Sequence, residues 1–374
     1  LANVNLLIEN CERMDAPLPG IMKGVITGEA YALRAMLHFD LLRLYGPVYR
    51  ENTKSVKVMP YMDAADREIR PLLSAEEVLN RVIEDFEKAA ALLVNDDPVV
   101  KEGPKNGSSP EDVNNDLNYR QYRLNYYAVK ALLARAHLWG GDKEMAVAAA
   151  KEVIAVCKGE TAWFPFTDKA EVLRAEDPDR IFSSEVLFGL YNTSRTSMFE
   201  YFFQKTAGTT NLLTLYGTYT DGRLRMMFPE EGDIRFALWA SETLDSTEVL
   251  YHTKYEGVKD PRNQNMIPLV RTSEMYLLLA ECCDSDIDSR DYINELRYAR
   301  GARNIILTTE TRDRLIAEEF AREMIGEGQL YLFYKRRGMV AIPSGKSKDQ
   351  SIDMAWDNYV WLLPDKELEN RYDN

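Results

Sequence analysis

Acidic residues follow the spacing of an EF-hand calcium loop over residues 284–295. The stretch DSDIDSRDYINE places carboxylates at the first, third, fifth and twelfth positions of such a loop, at Asp284, Asp286, Asp288 and Glu295. Ser289, however, stands where the sharp turn of that loop needs glycine. The same residues fit the start of a helix, with Asp288 or Ser289 as its N-cap. Its buried face would comprise Tyr292, Ile293 and Leu296. In that helix Glu295 could not wrap around an ion, so we favour the helix over calcium binding.

The motifs of common enzymes and metal centres do not occur in the sequence. It lacks G-x-S-x-G, G-x-x-x-x-G-K-[ST], G-x-G-x-x-G and H-E-x-x-H. The acidic run at 230–233 is typical of a solvated loop. The many carboxylates still allow a glycosidase pair that is separated in the sequence, which stays an alternative. None of the four cysteines lies in a C-x-x-C, and there are only three histidines, of which His38 and His137 fall in apolar helices. We therefore predict neither an enzyme nor a bound cofactor or metal.

Composition and charge exclude two classes of partner. The 374 residues are 45% hydrophobic and 28% charged, which is typical of globular proteins. Acidic residues outnumber basic ones 60 to 46, so the net charge is −14. A nucleic-acid-binding surface must be basic to displace counterions, and so must a surface that docks on anionic lipid. No apolar run approaches the ~20 residues of a transmembrane helix.

Helical periodicity recurs in pairs along the chain. The helix that ends at Gly46-Pro47 is apolar on two sides, so neighbours must pack against both. Ser74 and Glu77 form a capping-box pattern at the start of another helix. Alanines over 128–150 allow two antiparallel helices to approach closely. Helical hairpins are predicted near 28–94, 121–157, 270–300 and 312–337, the last with a break near Gly326–Gly328. Their spacing is too irregular for a strict repeat of about 34 residues. We predict a mainly α, degenerate tetratricopeptide-like solenoid.

One body of residues 1–374 is expected, divided by composition. Residues 1–158 and 268–340 would form the helical-hairpin scaffold, and 341–374 a C-terminal segment. Residues 159–267 are rich in aromatic and turn residues, with a short strand at 185–191. Residues 95–118 read as a surface loop. Because binding residues collect on loops that a rigid scaffold positions, we expect the inserted section 159–267 to bind the ligand.

The first helical block resembles the signature of SusD/RagB-type proteins. GEAYALRAMLHFDLLRLYGPV matches a Gly-Glu-Ala-x-x-x-Arg-Ala helix that runs into Leu-Tyr-Gly-x-Val. The matching positions are Gly28, Glu29, Ala30, Arg34, Ala35, Leu44, Tyr45, Gly46 and Val48. A second block, IPLVRTSEMYLLLAEC, matches through Pro268, Arg271, Glu274, Ala280 and Glu281. Further similar blocks are NYYAVKALLARAHLWGGD, YINELRYARGA, EFAREMIGEGQLYLFYKRRG and WLLPDKELENRYDN. The resemblance covers nearly the whole chain.

This resemblance implies a lipid-anchored protein on the outer membrane of Bacteroidetes-type bacteria. Such a protein captures a nutrient, usually a glycan, and covers a TonB-dependent transporter of the SusC type; it is not an enzyme. The sequence opens with LANVNLLIEN, which reads as the middle of a helix, so we expect the signal peptide and the lipidated cysteine upstream. Glu29 and Arg34 are expected to hold their helix in the scaffold. The alternatives are a peptide-binding member of the same family and a tetratricopeptide-type adaptor.

A glycan ligand would require exposed aromatic rings beside hydrogen-bonding groups. Sugars present flat apolar C–H faces as well as hydroxyls. Trp139 falls in an apolar helix and is expected in the core. The better candidates lie in turn-rich sequence near Thr, Asn, Asp and Arg: Trp163, Tyr216, Tyr219 and Trp239. No motif of the family identifies the ligand.

Overall fold

The computed structural model describes residues 1–13, 18, 20–105, 117–204, 212–244 and 246–369. The helices are α1 (Ala2–Arg13), α2 (Met22–Tyr45), α3 (Ala75–Asp96), α4 (Val99–Glu102), α5 (Tyr126–Gly140), α6 (Lys143–Ala155), α7 (Lys169–Val172), α8 (Arg195–Phe202), α9 (Arg223–Met227), α10 (Pro261–Asn265), α11 (Thr272–Cys282), α12 (Asp286–Ala299), α13 (Arg312–Glu323), α14 (Gln329–Arg337) and α15 (Asp365–Glu369). The strands are β1 (Lys57–Met59), β2 (Leu73–Ser74), β3 (Val186–Tyr191), β4 (Trp239–Leu244), β5 (Thr247–His252), β6 (Met266–Arg271), β7 (Ala341–Pro343) and β8 (Ser351–Asp353). In the part of the chain that is described, no helix combines the length and apolar content needed to cross a membrane.

The long helices stack in chain order, as the predicted solenoid requires. α2 packs on α3, α3 on α5, α5 on α6, α6 on α11, and α11 on α12 and α13. α2 is buried on more than one side because α1 and α5 also contact it. The main core runs through this stack, where Phe39 packs edge-on against Trp139 with ring centroids 6.0 Å apart. The mainly α, tetratricopeptide-like fold is therefore confirmed.

Local signals in the sequence start most of these helices where predicted. Ser74 Oγ accepts the Glu77 N–H while the Glu77 carboxylate accepts the Ser74 N–H, so the capping box at α3 is confirmed. The α5–α6 hairpin turns at Gly141, whose φ of +87° favours glycine, and Asp142 caps α6. The last predicted helix is broken as expected, between α13 and α14. The two pieces meet through the stacked rings of Phe320 and Phe333, 4.2 Å apart.

The segment with EF-hand spacing is the start of α12. Its N-cap is Ser285, whose hydroxyl accepts the N–H groups of Ile287 and Asp288, so the predicted cap at Asp288 or Ser289 was wrong by three or four residues. Ser285 directly precedes α12, which is the position of an N-cap, and its hydroxyl is a preferred acceptor for the first free N–H groups of a helix. Glu295 lies inside the helix and accepts from the Tyr276 hydroxyl at 2.8 Å. It therefore does not close a loop around an ion.

The inserted section contains more strand than the sequence predicted. The strand expected at 185–191 is confirmed as β3, which pairs antiparallel with β6. β4 and β5 form an antiparallel hairpin that we did not predict. Its strands are only partly buried and carry Ser, Thr and Glu among the apolar residues. Small apolar clusters, separate from the main core, lie beneath this section.

Part of the predicted loop 95–118 forms α3 and α4, and residues 106–116 lie outside the described residues.

Candidate functional site

A cleft of about 520 Å³ opens beside the single helical turn Arg120–Tyr122. Residues from 165–184 and 260–266 form its other walls. Its aromatic lining is Tyr119, Tyr122 and Phe166. Its polar lining is Gln121, Thr167, Asp168, Glu171, Arg174, Asp177, Asp179, Ser183, Ser184, Asp260 and Asn263. The volume lies within the range of small-ligand sites. We name this cavity the Tyr122 cleft.

The floor of the Tyr122 cleft is fixed by hydrogen bonds. The hydroxyls of Thr167 and Ser184 lie 2.8 Å apart, and the Thr167 N–H donates to the buried Glu185 carboxylate at 3.0 Å. Gln121 Nε2 donates to the carbonyls of Ser183 and Val186, each at 2.8 Å. These bonds join the turn on one wall to the strand on the other. The cleft is therefore pre-formed rather than assembled by the ligand.

The signature residue Glu29 positions the aromatic wall. Arg120 is buried and donates from Nε and Nη2 to Asp97, at 3.0 and 2.8 Å. Its Nη1 donates to Glu29 Oε1 at 2.6 Å. Burial raises the pKa of Glu29, and the charge of Arg120 opposes that rise. Tyr119 and Tyr122 flank this anchored arginine, so an ion pair on α2 holds the rings of the cleft. The expected scaffold role of Glu29 is confirmed.

Strained backbone collects around the cleft. Tyr119, Asp177 and Phe182 have φ of +57°, +58° and +57°, a region that non-glycine residues rarely adopt. Among the described residues, only Ser246 shares this feature away from the cleft. Asp177 is held by the N–H groups of Lys259 and Asp260, at 2.5 and 3.3 Å from its Oδ1. Such conformations persist where surrounding contacts enforce them, and they cluster at binding sites.

The aromatic surface continues beyond the cleft. The ring of Tyr191 meets that of Tyr122 edge-on, with centroids 5.5 Å apart, and is 57% exposed. Asn265 Nδ2 donates to the Tyr191 hydroxyl at 2.9 Å and fixes the ring. Tyr119 is 38% exposed. Accessible ring faces therefore stand beside carboxylates, amides and hydroxyls, which is the combination that sugar binding requires.

A buried ion network joins the cleft floor to the helical scaffold. Its buried cations and carboxylates are Glu185, Asp233, Arg235, Lys254, Arg271, Arg297, Arg300, Glu319, Arg322, Glu323 and Glu327. Glu185 receives both Arg300 Nη atoms, at 2.7 and 2.6 Å, and Arg271 Nη1 at 3.3 Å. Because Glu185 also holds Thr167, the network fixes the inserted section against α11–α13.

The structure does not gather the four predicted aromatic residues into one site. Trp163 packs against the main core, edge-on to Tyr127. Tyr219 is partly buried against Phe236. Tyr216 is 54% exposed.

Trp239 does not match the expectation of an exposed platform. It is 7% exposed and packs with Leu224, Phe228 and Leu250. β4 pairs with β5 in the unpredicted hairpin, and this pairing turns the indole ring inward against His252. Of the four candidates, Tyr216 has the largest exposed fraction. The rings of the Tyr122 cleft were missed because Tyr119 and Tyr122 precede a helix that we assigned only to the scaffold.

A second cavity, of about 560 Å³, lies between α13, α14 and the β7–β8 hairpin. Its apolar lining consists mainly of Met, Ala, Ile and Pro side chains, and its aromatic residue, Tyr334, is buried. It offers no accessible ring to a sugar, so the Tyr122 cleft is the better candidate. Within the described residues, no group of three or more His, Cys, Asp or Glu side chains could hold a metal ion.

Comparison with known proteins finds similarity to SusD-like proteins. Residues 247–358 match the model of the SusD family. A SusD superfamily protein from Bacteroides thetaiotaomicron VPI-5482 has a similar structure, with a TM-score of 0.77 and 23% identity over 99% of this chain and 81% of that one. A SusD-like carbohydrate binding protein from Bacteroides vulgatus ATCC 8482 matches with a TM-score of 0.73 and 20% identity, over 99% and 80%. A laminarin binding SusD-like protein matches with a TM-score of 0.60 and 17% identity, over 90% and 75%.

No curated protein sequence matches the chain. At these identities the solved structures establish the fold, and the family model matches residues 247–358. SusD-like proteins are binding proteins, and the family is one of outer-membrane surface lipoproteins. Together, these comparisons relate the chain to the SusD family: residues 247–358 match the family's model, and nearly the whole chain has the fold of SusD-like proteins.

Proposed function

We propose that the protein binds a glycan in the Tyr122 cleft at the cell surface and delivers it to a TonB-dependent transporter of the SusC type. The observation that carries the proposal is the cleft itself. It places tyrosine rings beside carboxylates, amides and hydroxyls, on strained residues that the scaffold enforces. The SusD-like relative that binds laminarin supports a glycan as the ligand class. Attachment to the outer membrane by a lipid anchor would follow the family.

The apolar ring area that a sugar could cover sets the expected affinity. Covering about 100 Å² of apolar ring contributes roughly 2.5 kcal/mol at about 25 cal/mol per Å². Two rings, those of Tyr122 and Tyr191, would contribute about 5 kcal/mol, and hydrogen bonds to the polar lining would add to this. Ordering the sugar and losing its free motion offset part of that gain. The dissociation constant should therefore fall between millimolar and micromolar.

The cleft also refines where the ligand would bind. We expected residues 159–267 to form the ligand-binding section of a single body, and this stays a proposal. The Tyr122 cleft takes Phe166 and most of its polar lining from that section, but Tyr119 and Tyr122 precede it. Specificity would then depend on residues that precede α5 in the sequence as well as on residues that follow α6. Binding without turnover is favoured because SusD-like proteins are binding proteins.

A glycan array followed by calorimetry tests the ligand class and the site. Tyr191→Ala should weaken binding of the array hit about tenfold or more, because it removes an exposed platform. Trp361→Ala is the matched control, since Trp361 is 51% exposed and packs on Tyr45 outside the cleft. It should leave the affinity unchanged. Loss of binding in Tyr216→Ala with normal binding in Tyr191→Ala would instead place the ligand at the site predicted from the sequence.

Further experiments distinguish the proposal from its alternatives. Release of reducing ends from a bound glycan would favour an enzyme. Thermal stabilisation by a peptide, with no glycan bound, would favour a peptide-binding member of the family or a tetratricopeptide-type adaptor. Affinity purification from the native outer membrane tests the partner. Recovery of a TonB-dependent barrel is expected, and recovery of cytosolic proteins alone would refute that part of the proposal.

A further inference from the structure

We infer that the Tyr122 cleft selects uncharged and amino-bearing glycans and rejects those with uronic-acid or sulfate groups. The inference rests on the proposed function and concerns the ligand class of the same cleft. It follows from the sign of the charges that line the cavity together with the accessible rings. Neither feature depends on the identity of a particular sugar.

Carboxylates dominate the charged lining of the cleft. They are Asp168, Glu171, Asp177, Asp179 and Asp260, of which Asp179 is buried. Among the described residues, the one cationic side chain in the lining is Arg174, which pairs with Glu171. Within the described part of the chain, no ion pair joins Asp168, Asp177 or Asp179 to a cation; their oxygens accept backbone N–H groups. Their negative charge is therefore not neutralised by a neighbouring side chain.

The buried Arg195 does not change this balance. Arg195 is 2% exposed and donates from Nη1 to the Met266 carbonyl at 3.0 Å. Its guanidinium lies over the Tyr255 ring, 5.8 Å from the centroid, and it does not line the cleft. Burial lowers the pKa of Arg195 to about 10, which leaves it charged at neutral pH. An anionic sugar in the cleft would consequently meet carboxylates rather than this arginine.

These carboxylates suit particular donors. Ionised carboxylates only accept hydrogen bonds, so they can bind sugar hydroxyls or ammonium groups. A ligand carboxylate or sulfate would bring like charges together in the cleft, where they repel each other. The repulsion should also be screened by salt, since the Debye length shrinks from about 30 Å at 0.01 M to about 3 Å at 1 M. Charge selection is thus recognisable by its ionic-strength dependence.

The test uses a glycan array that carries neutral, amino-bearing, uronic-acid and sulfated glycans at equal density, read at 20 mM and 500 mM NaCl. At low salt, glycans whose signal depends on Tyr122, measured against Tyr122→Ala, should be neutral or amino-bearing. Acidic glycans should give at least tenfold less signal, and the difference should shrink at high salt. A Tyr122-dependent acidic glycan that binds as well as the neutral hits would overturn the inference and leave the proposed function intact. If no glycan binds, the proposed function fails, and the inference fails with it.

A charge-neutralising variant gives a matched comparison. Asp168→Asn keeps an N-cap on α7, because asparagine caps as well as aspartate, but it removes one negative charge from the cleft. We expect it to raise the signal of acidic glycans relative to neutral ones about threefold at 20 mM NaCl. Asp142→Asn makes the same change at the N-cap of α6, outside the cleft, and should leave the ratio unchanged. Equal ratios in both variants would overturn the charge argument.

Discussion

Replacing Glu323 with glutamine should destabilise the protein by about 3–5 kcal/mol. Glu323 Oε1 accepts from Arg271 at 2.7 Å and from Arg300 at 2.6 Å. Its Oε2 accepts from Arg235 and Arg300, each at 3.0 Å. A glutamine keeps one acceptor oxygen, so it loses two of these bonds and turns an amide towards the arginines. Hydrogen bonds to charged groups are worth about 1.5–3 kcal/mol each, and unpairing a buried charge costs about 3–5 kcal/mol.

Urea unfolding at pH 7, followed by circular dichroism, measures this cost. Glu318→Gln on the same helix is the control, because Glu318 is partly exposed and its one ion pair among the described residues is with Arg314. Exposed pairs of this kind contribute about 0.2–1 kcal/mol. A difference below about 1 kcal/mol between the two variants would show that the network is not a buried, desolvated unit. The reasoning would then be wrong for Glu185 and the cleft floor as well.

Two further predictions follow from burial. Although burial raises the pKa of Glu319, the charges of Arg235, Arg322 and Arg297 lower it to about 2, so the native state should lose stability as pH falls from about 4.5 towards 2. The urea midpoint measured as a function of pH tests this, and a midpoint that does not change in that window would contradict it. Trp239→Ala should lower the free energy of unfolding by about 3–5 kcal/mol, and Trp239→Phe by less, because the indole N–H has no hydrogen-bond partner among the described residues. Equal losses of stability in the two variants would contradict the packing argument. Normal glycan binding by a folded Trp239→Phe would confirm that this ring is not a platform.

Periodic and capping signals predicted the scaffold because they act within a few residues. Ser74 and Glu77 complete each other's hydrogen bonds whatever lies elsewhere, and α2 needed neighbours on two sides wherever they came from in the chain. The β4–β5 hairpin was missed because its strands are only partly buried, so their apolar pattern is weak. Its pairing decides that Trp239 points inward, and no local pattern around residue 239 carries that information.

The candidate cleft could not be predicted because it joins distant segments. Tyr122 meets Tyr191 across 69 positions of sequence, and Gln121 reaches the carbonyls near β3. Two features of the sequence nonetheless indicate this site. Tyr119 and Tyr122 lie in polar sequence, and Asn125 caps the helix that follows. Together they place aromatic rings in a turn rather than in the core of α5.

The charged residues that carry the family resemblance explain why kinship alone does not specify the ligand. Arg34 binds Asp85 through two bonds of 2.6 and 2.7 Å, and Arg135 pairs with Glu274. Arg271 belongs to the buried ion network, and Glu281 pairs with Arg336 and Arg337. Each of these residues therefore acts inside the scaffold. The rings and carboxylates of the Tyr122 cleft lie in segments between the resembling blocks. A family built this way can keep one scaffold and change its ligand, so binding experiments on the cleft, rather than further sequence comparison, must determine what this protein captures.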